Sequence, residues 1–279
     1  MMTTKTDVCF VDEDGIIKNL DRAIALGHNI GLRGKTGTGK TTLIQEMARV
    51  AGKKLYILNM TATSGVDELK GRTIVKPSST VMAKTIVEWI YGQLARAMQE
   101  GAWLCIEEAN FMNEEMASVL YSVMDFRRSL TIDEHENEVI KAHPDFRLFF
   151  TMNWDYRGTV RPNDAIMNRI NSWFDIPYLS KKEEAKLIRN RTGIDGEIAD
   201  KMADFACKIR GMSDKENLPD LSTRILINWA EMVKAGATPI EASEFSVIPI
   251  LGYTKNEKDL IRGLITALFV KRKKDDDDV

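Results

Sequence analysis

Short apolar runs alternate with amphipathic stretches over the first two-thirds of the chain. The runs rich in branched and aromatic residues predict β-strands and lie at residues 29–32, 55–58, 102–106, 147–152 and 173–176. Between them, apolar residues recur every three or four positions, which is the spacing of one helix face. Strands that alternate with helices predict an α/β fold, an αβα sandwich around a largely parallel sheet.

Three other segments have patterns of their own. Residues 61–80 are polar, contain glycine and proline, and predict a loop with at most a short helix. Apolar positions within residues 86–98 predict one face of a long helix that ends at Gly101. Residues 129–132 and 139–140 flank a charged tip and predict a β-hairpin.

Beyond residue 180 the patterns are helical. Residues 180–183 and 254–257 each follow the Ser/Thr-x-x-Glu pattern that opens a helix as a capping box. We therefore expect an α/β domain over residues 1–178, an all-helical domain over residues 179–270 and a charged tail at residues 271–279.

Composition and charge argue against several classes of function and location. The 279 residues are 44% hydrophobic and 29% charged, as in an ordinary globular protein with a sizeable core. A net charge of −2 gives no general attraction to nucleic acid or to an anionic membrane. No apolar window approaches the length of a membrane span, and the N-terminus lacks a signal-peptide pattern. Since the three cysteines are also scattered, we expect a cytoplasmic protein.

Residues 34–41 match the P-loop pattern of a glycine, four residues and then Gly-Lys-Thr. An apolar run precedes the match and a helical pattern follows it. In such a loop, glycines let backbone N–H groups surround phosphate oxygens at a helix N-terminus. Lys40 is expected to reach the β- and γ-phosphates, and the Thr41 hydroxyl to bind Mg²⁺. The predicted nucleotide-binding residues are Gly34, Lys35, Thr36, Gly37, Thr38, Gly39, Lys40, Thr41 and Thr42.

Polar residues follow two of the predicted strands. Ligand sites of parallel sheets lie beyond the C-terminal ends of the strands. Glu107 is therefore predicted to bind Mg²⁺ beside Thr41, and Glu108 to orient and deprotonate the attacking water. Asn153 follows the strand at residues 147–152, where it can hold that water or a γ-phosphate oxygen, or serve as an ordinary turn residue.

Five segments occur in the order found in AAA+ ATPases and resemble the motifs of that family. They are residues 34–41 (Walker A), 105–110 (Walker B), 149–153 (sensor 1), 166–170 (arginine finger) and 221–224 (sensor 2). Residues 61–76 and the predicted hairpin resemble the insert and the pre-sensor-1 hairpin of the MoxR-like branch. That branch includes the CbbQ, NorQ and GvpN types.

This resemblance implies a P-loop NTPase core, a small helical lid and a ring, usually a hexamer. It implies that Arg169 acts on the γ-phosphate of a neighbouring subunit, although Arg161 in the same loop could take that role instead. Arg224 would contact phosphates within its own subunit. The family usually carries Asp where this chain has Glu107, which predicts a shifted metal and slower hydrolysis.

The resemblance favours ATP-driven, chaperone-like remodelling of a protein client. MoxR-like proteins often act with a partner that carries a von Willebrand A domain. A second hypothesis is a nucleic-acid motor, with Arg127 and Arg128, or Arg72 and Lys76, on the phosphates. The acidic residues 133–136 and the lack of a basic stripe with interleaved aromatic residues count against it. The sequence also leaves open a nucleotide-gated scaffold with little turnover and a small-molecule P-loop kinase.

Overall fold

The computed structural model describes residues 10–77, 85–153, 163–216 and 219–270. The strands in these ranges are β1 (Ile30–Arg33), β2 (Leu55–Asn59), β3 (Gly71–Pro77), β4 (Thr85–Tyr91), β5 (Trp103–Glu107), β6 (Ser129–Ile132), β7 (Glu138–Lys141), β8 (Arg147–Met152) and β9 (Ser172–Asp175). The α-helices are α1 (Ile16–Ala25), α2 (Lys40–Val50), α3 (Val66–Leu69), α4 (Gln93–Glu100), α5 (Glu114–Met124), α6 (Asp164–Met167), α7 (Lys181–Thr192), α8 (Gly196–Glu216), α9 (Thr223–Lys234), α10 (Pro239–Ser246), α11 (Ile248–Leu251) and α12 (Lys255–Phe269).

The chain divides into two compact units. The first contains the chain before Lys35 together with Gly39–Ile176, and the second contains Lys35–Thr38 together with the chain from Pro177 onward. Residues 34 and 39–41 of the P-loop therefore group with the first unit, whereas its tip, residues 35–38, groups with the second. Within the described ranges, no helix has both the length and the apolar character needed to cross a membrane.

A parallel sheet with both faces buried is the centre of the first unit. Its strand order is β2–β5–β8–β1–β9. Along β5, Leu104 and Ile106 pack into one apolar cluster, whereas Trp103 and Cys105 pack into the cluster on the opposite face. The α/β fold with a parallel sheet predicted from the alternation of strands and helices is therefore confirmed.

The long helix predicted over residues 86–98 is wrong in its first half. β4 occupies Thr85–Tyr91 and pairs antiparallel with β3, and α4 begins only at Gln93. The apolar spacing suits a helix face, but the β-branched and aromatic residues of this segment suit a strand, and pairing with β3 decides between them. Gly92 separates the two elements. A Cβ atom there would lie 2.5 Å from the carbonyl oxygen of Leu69, so a larger residue would collide with the backbone.

The loop predicted over residues 61–80 also contains more regular structure than expected. It includes helix α3 and strand β3, so the insertion between β2 and α4 is α3 followed by the β3–β4 hairpin, called here the insert hairpin. The hairpin predicted from residues 129–132 and 139–140 is confirmed as the antiparallel pair β6–β7. The sequence pattern missed the insert hairpin because the apolar positions of its second strand also fit one face of a helix.

The second unit has its own apolar core, built by helices α7 to α12 around the fully buried side chain of Trp229. The capping box predicted at residues 254–257 is confirmed, with both reciprocal hydrogen bonds between Thr254 and Glu257. At the start of α7, the Ser180 side chain accepts the backbone N–H of Glu183. These caps satisfy N–H groups that have no partner within the helix.

Candidate nucleotide-binding and hydrolysis site

The P-loop connects the buried strand β1 to the N-terminus of α2. Gly37 and Gly39 have φ angles of 79° and 95°, in the left-handed region that glycine enters most readily. A Cβ atom on Gly39 would lie 3.4 Å from the ring of Phe10. Phe10 therefore packs against the loop.

Lys40 is a buried lysine at the first position of α2. Its Nζ atom donates hydrogen bonds of 2.7 Å to the carbonyl oxygen of Gly34 and of 2.7 Å to Oδ1 of Asn153. Burial lowers the pKa of Lys40 to about 8, although the negative charges of Glu108 and Glu107 act in the opposite direction. A cation that has lost much of its water is well suited to bind phosphate oxygens.

Thr41 and Glu107 meet at the C-terminal end of β5. The Thr41 hydroxyl donates a hydrogen bond to Oε1 of Glu107. A hydroxyl and a carboxylate oxygen in contact are the donor types that Mg²⁺ prefers, so these two residues fit the predicted metal site. Thr42 is half-buried in the same first turn of α2.

Glu108 is held in an unusual backbone conformation and in a partly buried position. Its φ and ψ angles are 51° and 42°, the left-handed region that non-glycine residues seldom occupy. Asn153 Nδ2 lies 2.9 Å and 3.1 Å from the two carboxylate oxygens. Burial raises the pKa of Glu108, while Lys40 and the Asn153 hydrogen bond oppose that rise. A carboxylate with a raised pKa is a stronger base toward water.

The sheet order explains why these residues meet. β5 pairs with β8 and β8 pairs with β1, all in parallel, so the three strands end at one edge of the sheet. Glu107 is the last residue of β5 and Glu108 follows it, Asn153 follows β8, and the P-loop follows β1. The structure therefore brings together Lys40, Thr41, Glu107, Glu108 and Asn153, which were predicted from separate segments of the sequence.

Arg169 lies apart from this cluster and contacts its own chain. Its guanidinium carbon lies 4.6 Å from the ring centre of Tyr121, and Nη1 donates to the Ala165 carbonyl oxygen at 2.9 Å. Its role in a neighbouring subunit stays a prediction. Arg161, the second candidate for the finger, lies outside the described residues.

Arg224 belongs to the second unit, in the first turn of α9, where its side chain is exposed. It forms no ion pair with the rest of the described chain. Its predicted contact with phosphate stays a prediction.

The tip of the P-loop has partners that the sequence analysis missed. Lys35 Nζ lies 3.1 Å from Asp220 Oδ1, and the Tyr178 hydroxyl donates to the Thr36 carbonyl oxygen at 2.9 Å. Thr38 Oγ1 donates to the Lys35 carbonyl oxygen at 3.0 Å. No short motif marks Tyr178 or Asp220, because more than 140 positions separate each of them from its partner in the loop.

The two hairpins of the first unit also contact each other. His135, at the tip of the β6–β7 hairpin, stacks on Trp89 with ring centres 5.1 Å apart and meets Tyr91 edge-on at 5.9 Å. Lys70 Nζ lies 3.2 Å from Asp133 Oδ2 of the same tip. The insert hairpin is thus held on the β6–β7 hairpin by aromatic and ionic contacts.

Comparison with known proteins places the chain in a family. Residues 29–170, half of the chain, match the AAA domain (dynein-related subfamily), and residues 184–268 match the CbbQ/NirQ/NorQ C-terminal region. CbbQ of Hydrogenophilus thermoluteolus is 25% identical over 253 residues, which cover 91% of this chain and 92% of that protein. NorQ of Paracoccus denitrificans is 29% identical over 241 residues, covering 85% of each protein.

A solved structure shares the fold. The RuvB Holliday junction branch migration motor of Thermotoga maritima matches with a TM-score of 0.57 and 16% identity, over 92% of this chain and 77% of that one. The two family matches together cover about four-fifths of the chain, in the order of an AAA domain and a CbbQ-type C-terminal region. The protein therefore belongs to the AAA+ ATPases, in the MoxR-like branch with CbbQ and NorQ.

Proposed function

We propose that the protein hydrolyses ATP and that, as a ring-shaped assembly, it uses the hydrolysis to remodel or activate a protein client. One observation carries the enzymatic part, the hydrogen-bonded chain from Lys40 through Asn153 to Glu108. The Asn153 amide accepts from the phosphate-binding lysine with its oxygen and donates to the carboxylate with its nitrogen. The hydrogen bonds to Lys40 and to Glu108 therefore require the same orientation of the amide. Through them, the Glu108 carboxylate is held at a fixed position relative to the Lys40 amino group.

The residues present fit ATP and Mg²⁺. Thr41 and Glu107 would hold the metal, which neutralises phosphate charge when bound. Lys40 would contact the β- and γ-phosphates, and the backbone of residues 34–39 would surround them. Since Glu107 already reaches the Thr41 hydroxyl, the longer side chain at this position is compatible with a metal site.

Glu108 would act as the base toward the attacking water, and Asn153 would hold that water or the γ-phosphate. Arg169 would stabilise the transferred phosphoryl group of a neighbouring subunit, and Arg224 would contact the phosphates of its own subunit. Membership of the MoxR-like branch supports both arginine assignments.

Exposed apolar residues on the insert hairpin support the proposal that the client is a protein. Val75 and Val87 pair across its two strands, and each is 67% exposed. Exposed apolar residues on a paired ribbon suit contact with another protein rather than with a nucleic-acid backbone. A partner with a von Willebrand A domain is proposed on the family relationship alone.

Phosphate release by the wild type and by Glu108→Gln tests the enzymatic part. The variant keeps the size and the hydrogen-bonding ability of the side chain but removes the base, so we expect a loss of about 100-fold or more in turnover. ATP binding, measured separately with a fluorescent analogue, should persist. Glu115→Gln, an exposed glutamate on α5, is the matched control and should hydrolyse like the wild type.

Equal rates at the background level for the wild type and Glu108→Gln, with ATP still bound, would show a nucleotide-gated scaffold instead. A wild type that binds no ATP would contradict the assignment of the P-loop itself.

A further inference from the structure

Tyr178 contacts the backbone of the P-loop tip, inside the second unit. Lys35–Thr38 belong to that unit, and the Tyr178 hydroxyl donates a 2.9 Å hydrogen bond to the Thr36 carbonyl oxygen. In a trans peptide, the C=O group and the N–H group of the next residue point in opposite directions. Holding the Thr36 carbonyl on Tyr178 therefore turns the N–H of Gly37 away from Tyr178. A P-loop binds phosphate through such N–H groups.

A buried ion pair fixes the position of Tyr178. The guanidinium carbon of Arg210 lies 3.7 Å from the centre of the Tyr178 ring. The two terminal nitrogens of Arg210 donate to the carboxylate of Glu184 at 2.8 Å and 2.9 Å, and the side chain of Glu184 is only 1% exposed. Thr223 Oγ1 donates to the same carboxylate at 2.6 Å. This bidentate, fully hydrogen-bonded geometry holds the guanidinium plane rigidly against the ring.

Two further contacts join the loop tip to the segment that precedes α9. Lys35 pairs with Asp220, and both side chains are partly buried. A Cβ atom on Gly37 would lie 2.6 Å from Cβ of Ser222, so the backbone approaches Ser222 closely at a glycine. Arg210 Nε also donates to the Leu221 carbonyl oxygen at 2.8 Å. The same arginine therefore supports both Tyr178 and the segment that contacts the loop.

Tyr178 remains a hydrogen-bond donor over the working pH range. Burial raises the pKa of its hydroxyl, and the negative charge of Asp220 raises it further. The hydroxyl therefore keeps its proton at neutral and moderately alkaline pH.

We propose that Tyr178 is a positioning residue for nucleotide phosphates. Its hydroxyl sets the orientation of the Thr36–Gly37 peptide, and the buried Arg210–Glu184 pair sets the orientation of Tyr178. The inference rests on the proposed function, since it requires that the P-loop binds nucleotide.

Tyr178→Phe tests the inference. The substitution removes only the hydroxyl and keeps an aromatic ring beneath Arg210. We expect the dissociation constant of a fluorescent ADP analogue, and the KM for ATP, to rise about tenfold through the loss of one positioning hydrogen bond. The kcat at saturating ATP and the melting temperature of the nucleotide-free protein should stay at the wild-type values. Amide hydrogen exchange at residues 35–38 should become faster.

Tyr253→Phe is the matched control, because Tyr253 lies in the same unit and is 78% exposed. It should change none of these quantities. An unchanged dissociation constant in Tyr178→Phe would overturn the inference. A fall in melting temperature and in kcat, with KM unchanged, would also overturn it, since that pattern belongs to a purely structural residue. Failure of the wild type to bind nucleotide would instead contradict the proposed function.

Discussion

At the scale of single residues, the charge of Lys40 is the most sensitive part of the site. Its amino group is buried among acceptors, and burial brings its pKa to about 8. A free lysine would remain charged well above that pH. The nucleotide-free protein therefore loses this positive charge within a pH range that is easily reached in solution.

We expect the affinity for ATP to fall as the pH rises above about 8, by up to about tenfold per pH unit. A bound phosphate anion raises the pKa of Lys40, so binding at alkaline pH must take up a proton. Below about pH 7 the lysine is already charged and contributes no such dependence. Isothermal titration calorimetry in buffers of different ionisation enthalpy measures both the affinity and the protons taken up.

Lys40→Arg is the control, because a guanidinium stays charged throughout this range. The variant can bind more weakly overall, yet its affinity should be flat where that of the wild type falls. If the affinity for ATP falls equally with rising pH in both proteins, the proton taken up on binding belongs to a group other than Lys40.

At the scale of elements, contacts with the β6–β7 hairpin hold the insert hairpin, which carries exposed apolar residues. The stacking of His135 on Trp89 and the contact of Lys70 with Asp133 join the hairpins at the base of the insert. Val75 and Val87 lie further along the insert hairpin, away from these contacts, and are exposed. The acidic tip of the β6–β7 hairpin is thus partly neutralised within the chain.

A photo-crosslinking residue at position 75 should capture a protein client in cells. The background is Glu108→Gln, in which we expect the ATP-bound state to accumulate. Leu26 is the matched control position, because it is 71% exposed at the end of α1, far along the chain from the insert. The expected result is a protein crosslink from position 75 that is absent from position 26. Crosslinks to nucleic acid alone would instead support a nucleic-acid motor.

At the scale of the whole molecule, the charges that act on the Glu108 carboxylate are those of Lys40 and Glu107, and no arginine of the described residues is among them. Arg169 packs on Tyr121 of its own chain, and Lys40 lies with Asn153 and Glu108. If Arg169 acts on a neighbouring subunit, hydrolysis requires an assembly in which the P-loop of one chain faces Arg169 of the next chain.

Mixing two inactive variants tests this arrangement. Arg169→Ala keeps its own P-loop, and Lys40→Ala keeps its own Arg169. Randomly mixed rings with equal amounts of both should recover about a quarter of the wild-type turnover, because about a quarter of the interfaces combine an intact P-loop with an intact finger. Phosphate release from the mixture, compared with each variant alone, measures the recovery.

A mixture that stays as inactive as its components would place the action of Arg169 within its own chain or would show that the variants do not assemble together. Co-purification of untagged Lys40→Ala with tagged Arg169→Ala separates these two outcomes, since only a mixed assembly contains both variants.

Much of the site could be predicted because its residues lie in local patterns. The P-loop is contiguous, and Glu107, Glu108 and Asn153 lie at or just beyond the C-terminal end of a buried strand that is recognisable from the sequence. The insert hairpin could not be predicted, because the apolar positions within residues 86–91 fit a helix face as well as a strand. The pairing of β4 with β3, a contact between different segments, decides between the two.

The sequence by itself determined the strands of the parallel sheet, the P-loop and the polar residues at the C-terminal ends of those strands, because each of these depends on neighbouring positions. Only the tertiary structure decided that Asn153 joins Lys40 to Glu108, that Arg169 rests on Tyr121, and that Tyr178 and Arg210 support the loop tip. These contacts join residues tens of positions apart or more. No local sequence pattern specifies these contacts, since each of them forms only when the unit that contains it has folded.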